Sequence, residues 1–116
     1  MSNHSYYAGF LDGEGCFTVA GGSPRVYVSN THLPSLENLK RMYGGTVRQR
    51  DVAKGHSREC FEWYAYGQTA VDIAKILLPS LREKQAQAAI LINWFYESRP
   101  AAKAGLNNML KELKRL

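Results

Sequence analysis

Three arginines alternate with two tyrosines along four short β-like segments, and a string of acidic and glycine residues precedes the first of them. The segments are Cys16 to Ala20, Arg25 to Ser29, Thr46 to Arg50 and Phe61 to Tyr66. Alternation sorts their side chains into two sets. Phe17, Val19, Val26, Val28, Val47, Trp63 and Ala65 suit a core face. The opposite set is Thr18, Ala20, Arg25, Tyr27, Ser29, Thr46, Arg48, Arg50, Glu62 and Tyr64. A polar outer face is ordinary for a one-sided antiparallel sheet. Arginines interleaved with tyrosines nevertheless make a kit for holding phosphates and reading bases: arginine can bond guanine bidentately, and a β-ribbon fits the major groove. The acidic string is Asp12-Gly13-Glu14-Gly15. It lacks the later ligand positions of an EF-hand, and by itself it also reads as an acidic turn after a helix.

Something must position these groups, and the chain is short. Its 116 residues allow one domain, 1–116, with one core. A hydrophobic fraction of 45% with 22% charged residues excludes disorder throughout. Fifteen Lys and Arg against ten Asp and Glu leave a net charge of +5, which favours a polyanionic partner, nucleic acid before membrane. Cys16 and Cys60 form no C-x-x-C pair and read as free thiols in a reducing compartment. Neither a signal peptide nor a membrane span is legible, so an intracellular, soluble protein is expected, with cytoplasm, organelle and phage-infected cell equally open.

The elements follow from periodicity and punctuation. Tyr6 to Asp12 reads as a short helix. Gly21-Gly22-Ser23-Pro24 turns the first hairpin. Leu33, Leu36, Leu39 and Tyr43 recur at helical spacing, with Thr31 as the expected cap, Pro34 in the first turn and Gly44-Gly45 as the stop. Asp51 to Glu59 is the polar loop of a second hairpin. Helices are then expected over Thr69 to Leu77, Arg82 to Tyr96 and Lys103 to Leu116, with breaks at Pro79 and Pro100. In the second of these the apolar residues are Ala86, Ala89, Ile90, Ile92, Trp94 and Phe95. In the last they are Leu106, Met109, Leu110 and Leu113, with Lys111 and Lys114 on a solvated face. The fold class is α+β, an antiparallel sheet with helices on one face.

Gly9 and Gly13 lie four apart, on one face of the first helix. Each costs a helix interior roughly 1 kcal/mol against alanine. Close approach of a second helix would offset that cost, because small residues at this spacing let backbones meet. The whole segment, Tyr7-Ala8-Gly9-Phe10-Leu11-Asp12-Gly13-Glu14-Gly15, resembles the LAGLIDADG motif of homing endonucleases. Ala8, Gly9, Asp12 and Gly15 match its letters; the remaining positions match in kind. Val28-Ser29-Asn30-Thr31 with the Leu-rich helix beyond it, and Leu77 to Gln87, resemble later parts of that family. The likeness spans residues 5–96.

The resemblance implies an α-β-β-α-β-β-α order with a saddle-shaped sheet, and a sequence-specific double-stranded DNA endonuclease. One motif in the chain implies a homodimer, paired through Ala8, Gly9, Asp12 and Gly13, and a near-palindromic target. It implies Mg²⁺ (or Mn²⁺) held by Glu14 of each subunit, with the Gly13 carbonyl as a further ligand. Glu14 stands where aspartate is commoner, and one extra methylene could shift the ion slightly. Asp12 is then structural, satisfying backbone donors at the helix junction. Asn30 orients water, or is simply a turn residue ahead of the next helix. Lys84 stabilises charge or polarises water; without the resemblance it reads as a solvated helix-start residue. DNA contacts fall to Thr18, Arg25, Tyr27, Ser29, Thr46, Arg48, Arg50, Glu62 and Tyr64, and the loop with Lys54, His56 and Arg58 would reach outer bases or the backbone.

Two other readings use the same residues. Folds of this family also serve as intron RNA maturases and as DNA-binding regulators without nuclease activity. A protein–protein interaction domain, with arginines that merely solvate the sheet, is the third.

Overall fold

A computed structural model describes residues 3–50 and 60–114, which form five α-helices and one four-stranded sheet. The expected loop over 51–59, with Lys54, His56 and Arg58, lies outside the described residues. In chain order the elements are α1 (Asn3–Glu14), β1 (Gly15–Ala20), β2 (Ser23–Asn30), α2 (Leu33–Tyr43), β3 (Thr46–Gln49), β4 (Phe61–Tyr66), α3 (Gly67–Leu77), α4 (Gln85–Tyr96) and α5 (Pro100–Lys114), with a 3₁₀ turn at Leu78–Ser80. The strands lie in the order β1-β2-β4-β3 and every neighbouring pair is antiparallel. The α+β class and the α-β-β-α-β-β-α order are as the sequence indicates.

Alternation on the strands determines which way the sheet faces. Phe17, Val26, Val28 and Trp63 are fully buried, and Ala65 nearly so; Val19 and Val47 pack against them from the margin. Leu36 and Leu39 of α2, and Val71, Ile73, Ala74 and Leu77 of α3, complete the buried set beside them. Ala8 and Leu11 of α1 belong to the same core. Burial of a Leu- or Phe-sized side chain contributes about 2 kcal/mol each, so this layer holds the sheet's other face outward.

Several boundaries move for local reasons. The first hairpin turns on Gly21 and Gly22 alone, both with positive φ, as a two-residue turn requires. Ser23 and Pro24 are therefore strand residues, and Pro24 is tolerated because it stands near the start of β2, opposite Val19. Thr31 does not cap α2: His32 is the capping position, and Asn30 Oδ1 accepts from its backbone N–H at 2.9 Å. Pro100 opens α5 rather than interrupting a helix; its missing N–H costs nothing in the first turn. In α4 the buried residues are Ala88, Ile90, Leu91 and Trp94, while Ala86 is exposed. The apolar run there is nearly continuous, so periodicity did not single out the inward face. Of the α5 stripe only Leu110 is buried, and Met109 is exposed.

Gly44 and Gly45 do more than end α2. The Gly44 carbonyl accepts from Trp63 Nε1 at 2.9 Å. A Cβ on Gly45 would stand 2.6 Å from the Tyr64 carbonyl oxygen, at a backbone φ of +91°. The pair seats the largest core side chain against the start of β3.

Candidate nucleic-acid interface and helix-end site

The polar set of strand residues converges as a surface because antiparallel partners share a face. Thr18 stands opposite Arg25, Tyr27 opposite Tyr64, Thr46 opposite Tyr64, and Glu62 between Ser29 and Arg48. Arg25, Tyr27, Ser29, Thr46, Arg48, Arg50, Glu62 and Tyr64 thus form one patch. Arg48, Arg50 and Thr46 are its exposed members; Arg50 Nη1 donates to Ser29 Oγ at 3.3 Å.

Two members of the expected DNA-contact set are buried instead. Glu62 is 5% exposed, because its Oε1 accepts from Arg25 Nη2 at 3.0 Å and Arg48 Nη2 at 3.2 Å. Thr18 is 9% exposed, because Lys114 at the end of α5 donates from Nζ to Thr18 Oγ1 at 2.8 Å. Lys114 is accordingly not on a purely solvated face. No local sequence signal joins two residues 96 positions apart. Arg25 is also enclosed: its guanidinium lies 4.6 Å from the Tyr27 ring centroid, 5.4 Å from Tyr66 and 5.8 Å from Tyr64. Tyr66 was missed in the sequence, although one more step of the alternation from Tyr64 reaches it. The neighbouring Cys16 thiol first, and burial second, raise the pKa of the Tyr27 phenol above its ordinary value.

The acidic string sits where α1 runs into β1. Glu14 is the last residue of α1 and is exposed; among the described residues it has no hydrogen bond or ion pair. Gly13 beside it is exposed as well. Asp12 is structural: Oδ2 accepts from Arg82 N at 2.9 Å and Oδ1 from Lys84 N at 3.0 Å. These two bonds hold residues 82–84 out of α4, which starts at Gln85 rather than Arg82. Lys84 Nζ in turn donates to the Asp12 carbonyl at 2.6 Å. Lys84 is thereby brought from the far side of the sequence to the helix end that carries Glu14.

Asn30 does not join this group by any contact. Its amide oxygen is engaged with His32 N, so of its two sequence readings the turn role is the one observed. That bond leaves the second lone pair of the oxygen and the amide NH₂ for a water.

The exposed stripe of α1 is Tyr6, Gly9 and Gly13, with Ser5 and Asp12 at its edge. Ala8 is corrected: it is fully buried in the chain's own core, about 100° around the helix from Gly9, and presents nothing to a partner. A Cβ on Gly9 or Gly13 would meet nothing within 4 Å. Packing among the described residues therefore does not require either glycine.

Divalent-cation chemistry finds only a partial donor set in one chain. Among the described residues no three His, Cys, Asp or Glu side chains cluster as a ligand group. A single unpartnered carboxylate such as Glu14 fits Mg²⁺, which keeps several waters and readily takes phosphate oxygens. Among the described residues no helix is long and apolar enough to cross a membrane.

No family model and no curated protein matches the chain. Solved structures do. The homing endonuclease I-CvuI, in complex with its target Sro1.3 in the presence of 2 mM Ca, superposes with a TM-score of 0.79 at 22% identity, over 96% of this chain and 81% of that one. The archaeal intron-encoded homing endonuclease I-Vdi141I, complexed with DNA, gives a TM-score of 0.74 at 15% identity, over 96% and 83%. I-SmaMI, as its K262A mutant, gives 0.60 at 22% identity, over 97% of this chain but 42% of its own. At these identities the likeness establishes the fold, which is that of the LAGLIDADG homing endonucleases.

Proposed function

We propose that this chain, having the fold of DNA-bound homing endonucleases, is a sequence-specific double-stranded DNA endonuclease that works as a homodimer with Mg²⁺ or Mn²⁺. The observation that carries the reading is the helix end. Glu14, exposed and without a partner among the described residues, ends α1; two residues earlier on the same helix the Asp12 carbonyl holds the Lys84 ammonium, and one face of the adjoining sheet carries arginine and tyrosine.

Hydrolysis of a phosphodiester joins a water oxygen to phosphorus and breaks the bond to the leaving sugar oxygen, through a transition state of high negative charge. Lys84 supplies positive charge at a fixed place. Its ammonium retains two N–H donors after the bond to Asp12, and a donor aimed in advance at developing charge costs no reorganisation. Glu14, with the Gly13 carbonyl, would hold the divalent ion together with phosphate oxygens. When bound, that ion supplies Lewis-acid stabilisation and a more acidic water. Arg48, Arg50 and Tyr64 position the duplex, and the basic charge makes binding salt-dependent.

A second copy supplies the second Glu14. The support for pairing is the α1 stripe of Tyr6, Gly9 and Gly13: two helical glycines whose cost no packing among the described residues offsets. A two-fold pair predicts a near-palindromic target.

The deciding experiment is a cleavage selection on a randomised double-stranded DNA library with Mg²⁺, with Glu14→Gln in parallel. Enrichment of a long, near-palindromic cut site that the variant does not cut supports the reading. Salt-sensitive binding of DNA or structured RNA without cutting supports instead a binding module of the same fold, a regulator or an RNA maturase.

A further inference from the structure

We infer that Glu62 touches no nucleic acid and is a positioning residue for base reading: it clamps Arg48, and through Arg25 the tyrosines around it, so that one arginine fork is presented in a single orientation. The inference rests on the DNA-reading role proposed above for the sheet.

A carboxylate on an outward-facing strand position is expected in solvent, yet the Glu62 side chain is 7% exposed. Desolvating a carboxylate is costly unless cations repay it. Here two do, through the same oxygen: Arg25 at 3.0 Å and Arg48 at 3.2 Å. The two arginines differ in what they have left over. Arg25 is 21% exposed and stacked by three tyrosine rings, so it is spent inside the patch. Arg48 is 59% exposed, with its guanidinium 5.6 Å from the Tyr64 ring centroid. One of its Nη atoms is bonded to Glu62; the rest of its five N–H donors stay available. Bidentate recognition of guanine needs a planar fork in a defined orientation. A long arginine side chain on an open sheet lacks one, unless it is tied at its inner edge. Glu62 supplies that tie, and it neutralises one of two adjacent guanidinium charges that would otherwise repel.

The test is the same cleavage or binding selection run with Glu62→Gln. The variant removes one negative charge from the face, so non-specific affinity at low salt should not fall. Preference at the base pair read by Arg48 should relax by about tenfold or more, while preferences at other positions persist. A merely structural role would lower the melting temperature and the active fraction without changing base preference at one position. If the unaltered protein selects no DNA sequence, the sheet-reading proposal fails and this inference with it. If the unaltered protein selects a site and Glu62→Gln selects the same bases with equal stringency, the inference alone is overturned. Should Glu62→Gln not fold, guanidinium nitrogen NMR on the unaltered protein decides. Slow rotation of the Arg48 guanidinium, relative to exposed Arg82, supports the clamp; rotation as free as that of Arg82 refutes it.

Discussion

Asp12 and Lys84 hold each other twice, through the Asp12 carboxylate on the Lys84 backbone N–H at 3.0 Å and the Lys84 ammonium on the Asp12 carbonyl at 2.6 Å. The second carboxylate oxygen takes Arg82 N. Asp12 therefore acts as a cap for the entry to α4, supplied from another helix. Removing it with Asp12→Ala should destabilise the fold by about 2 kcal/mol, the scale of two charge-assisted bonds, one of them part-buried and one exposed. Asp12→Asn, which retains one good acceptor, should fall between. Denaturant titration separates the three proteins; equal midpoints would refute the capping role.

Glu14 bears no structural load by the same measure. Glu14→Gln should leave the denaturation midpoint within about 0.5 kcal/mol of the unaltered protein, keep DNA binding and abolish cleavage. Cleavage at the unaltered rate would remove Glu14 from the chemistry.

Gly9 gives an opposite pattern. Its Cβ position is open within one chain, so a side chain there should not disturb the isolated fold, and Gly9→Ala should even favour the helix by about 1 kcal/mol. If a second copy packs on the stripe, Gly9→Leu should shift sedimentation from dimer to monomer and lose cleavage together. A dimer unaffected by leucine at this position would place the interface elsewhere.

Gly45 tolerates nothing larger. Positive φ and a 2.6 Å approach to the Tyr64 carbonyl act together, so Gly45→Ala should cost about 2–4 kcal/mol, visible as a melting-temperature fall of several degrees. Gly44→Ala, with open space at Cβ but φ +82°, should cost less.

Tyr43 links alkaline pH to stability. Burial first, and neighbouring Tyr7 second, push its phenol up to about 12 from 10.0. Its hydroxyl also shares a hydrogen bond of 2.7 Å with His4 Nδ1. The folded state holds the proton more tightly than the unfolded chain does. This contribution is therefore whole below about pH 10 and is lost as pH rises through about 12. Tyr43→Phe should flatten stability against pH across that window. An unchanged slope would show that other groups govern it.

The local sequence was enough for the elements, the two-faced sheet and the motif at the α1 end. Each of these is set by interactions a few residues long: alternation on a strand, glycine at a turn, an acid-glycine string at a helix end. It was enough, too, for Asp12 as a structural acid. Tertiary structure decided what side chains do once distant strands and helices meet. Glu62 and Thr18 share the polar alternation of their neighbours, but an arginine pair buries the first and a lysine 96 residues away covers the second. Ala8 and Gly9 are adjacent small residues in one motif, and only the helix's rotation against the core separates the buried one from the exposed one. Burial and pairing depend on contacts between residues far apart in the chain, and periodicity along a single segment carries no information about which those will be.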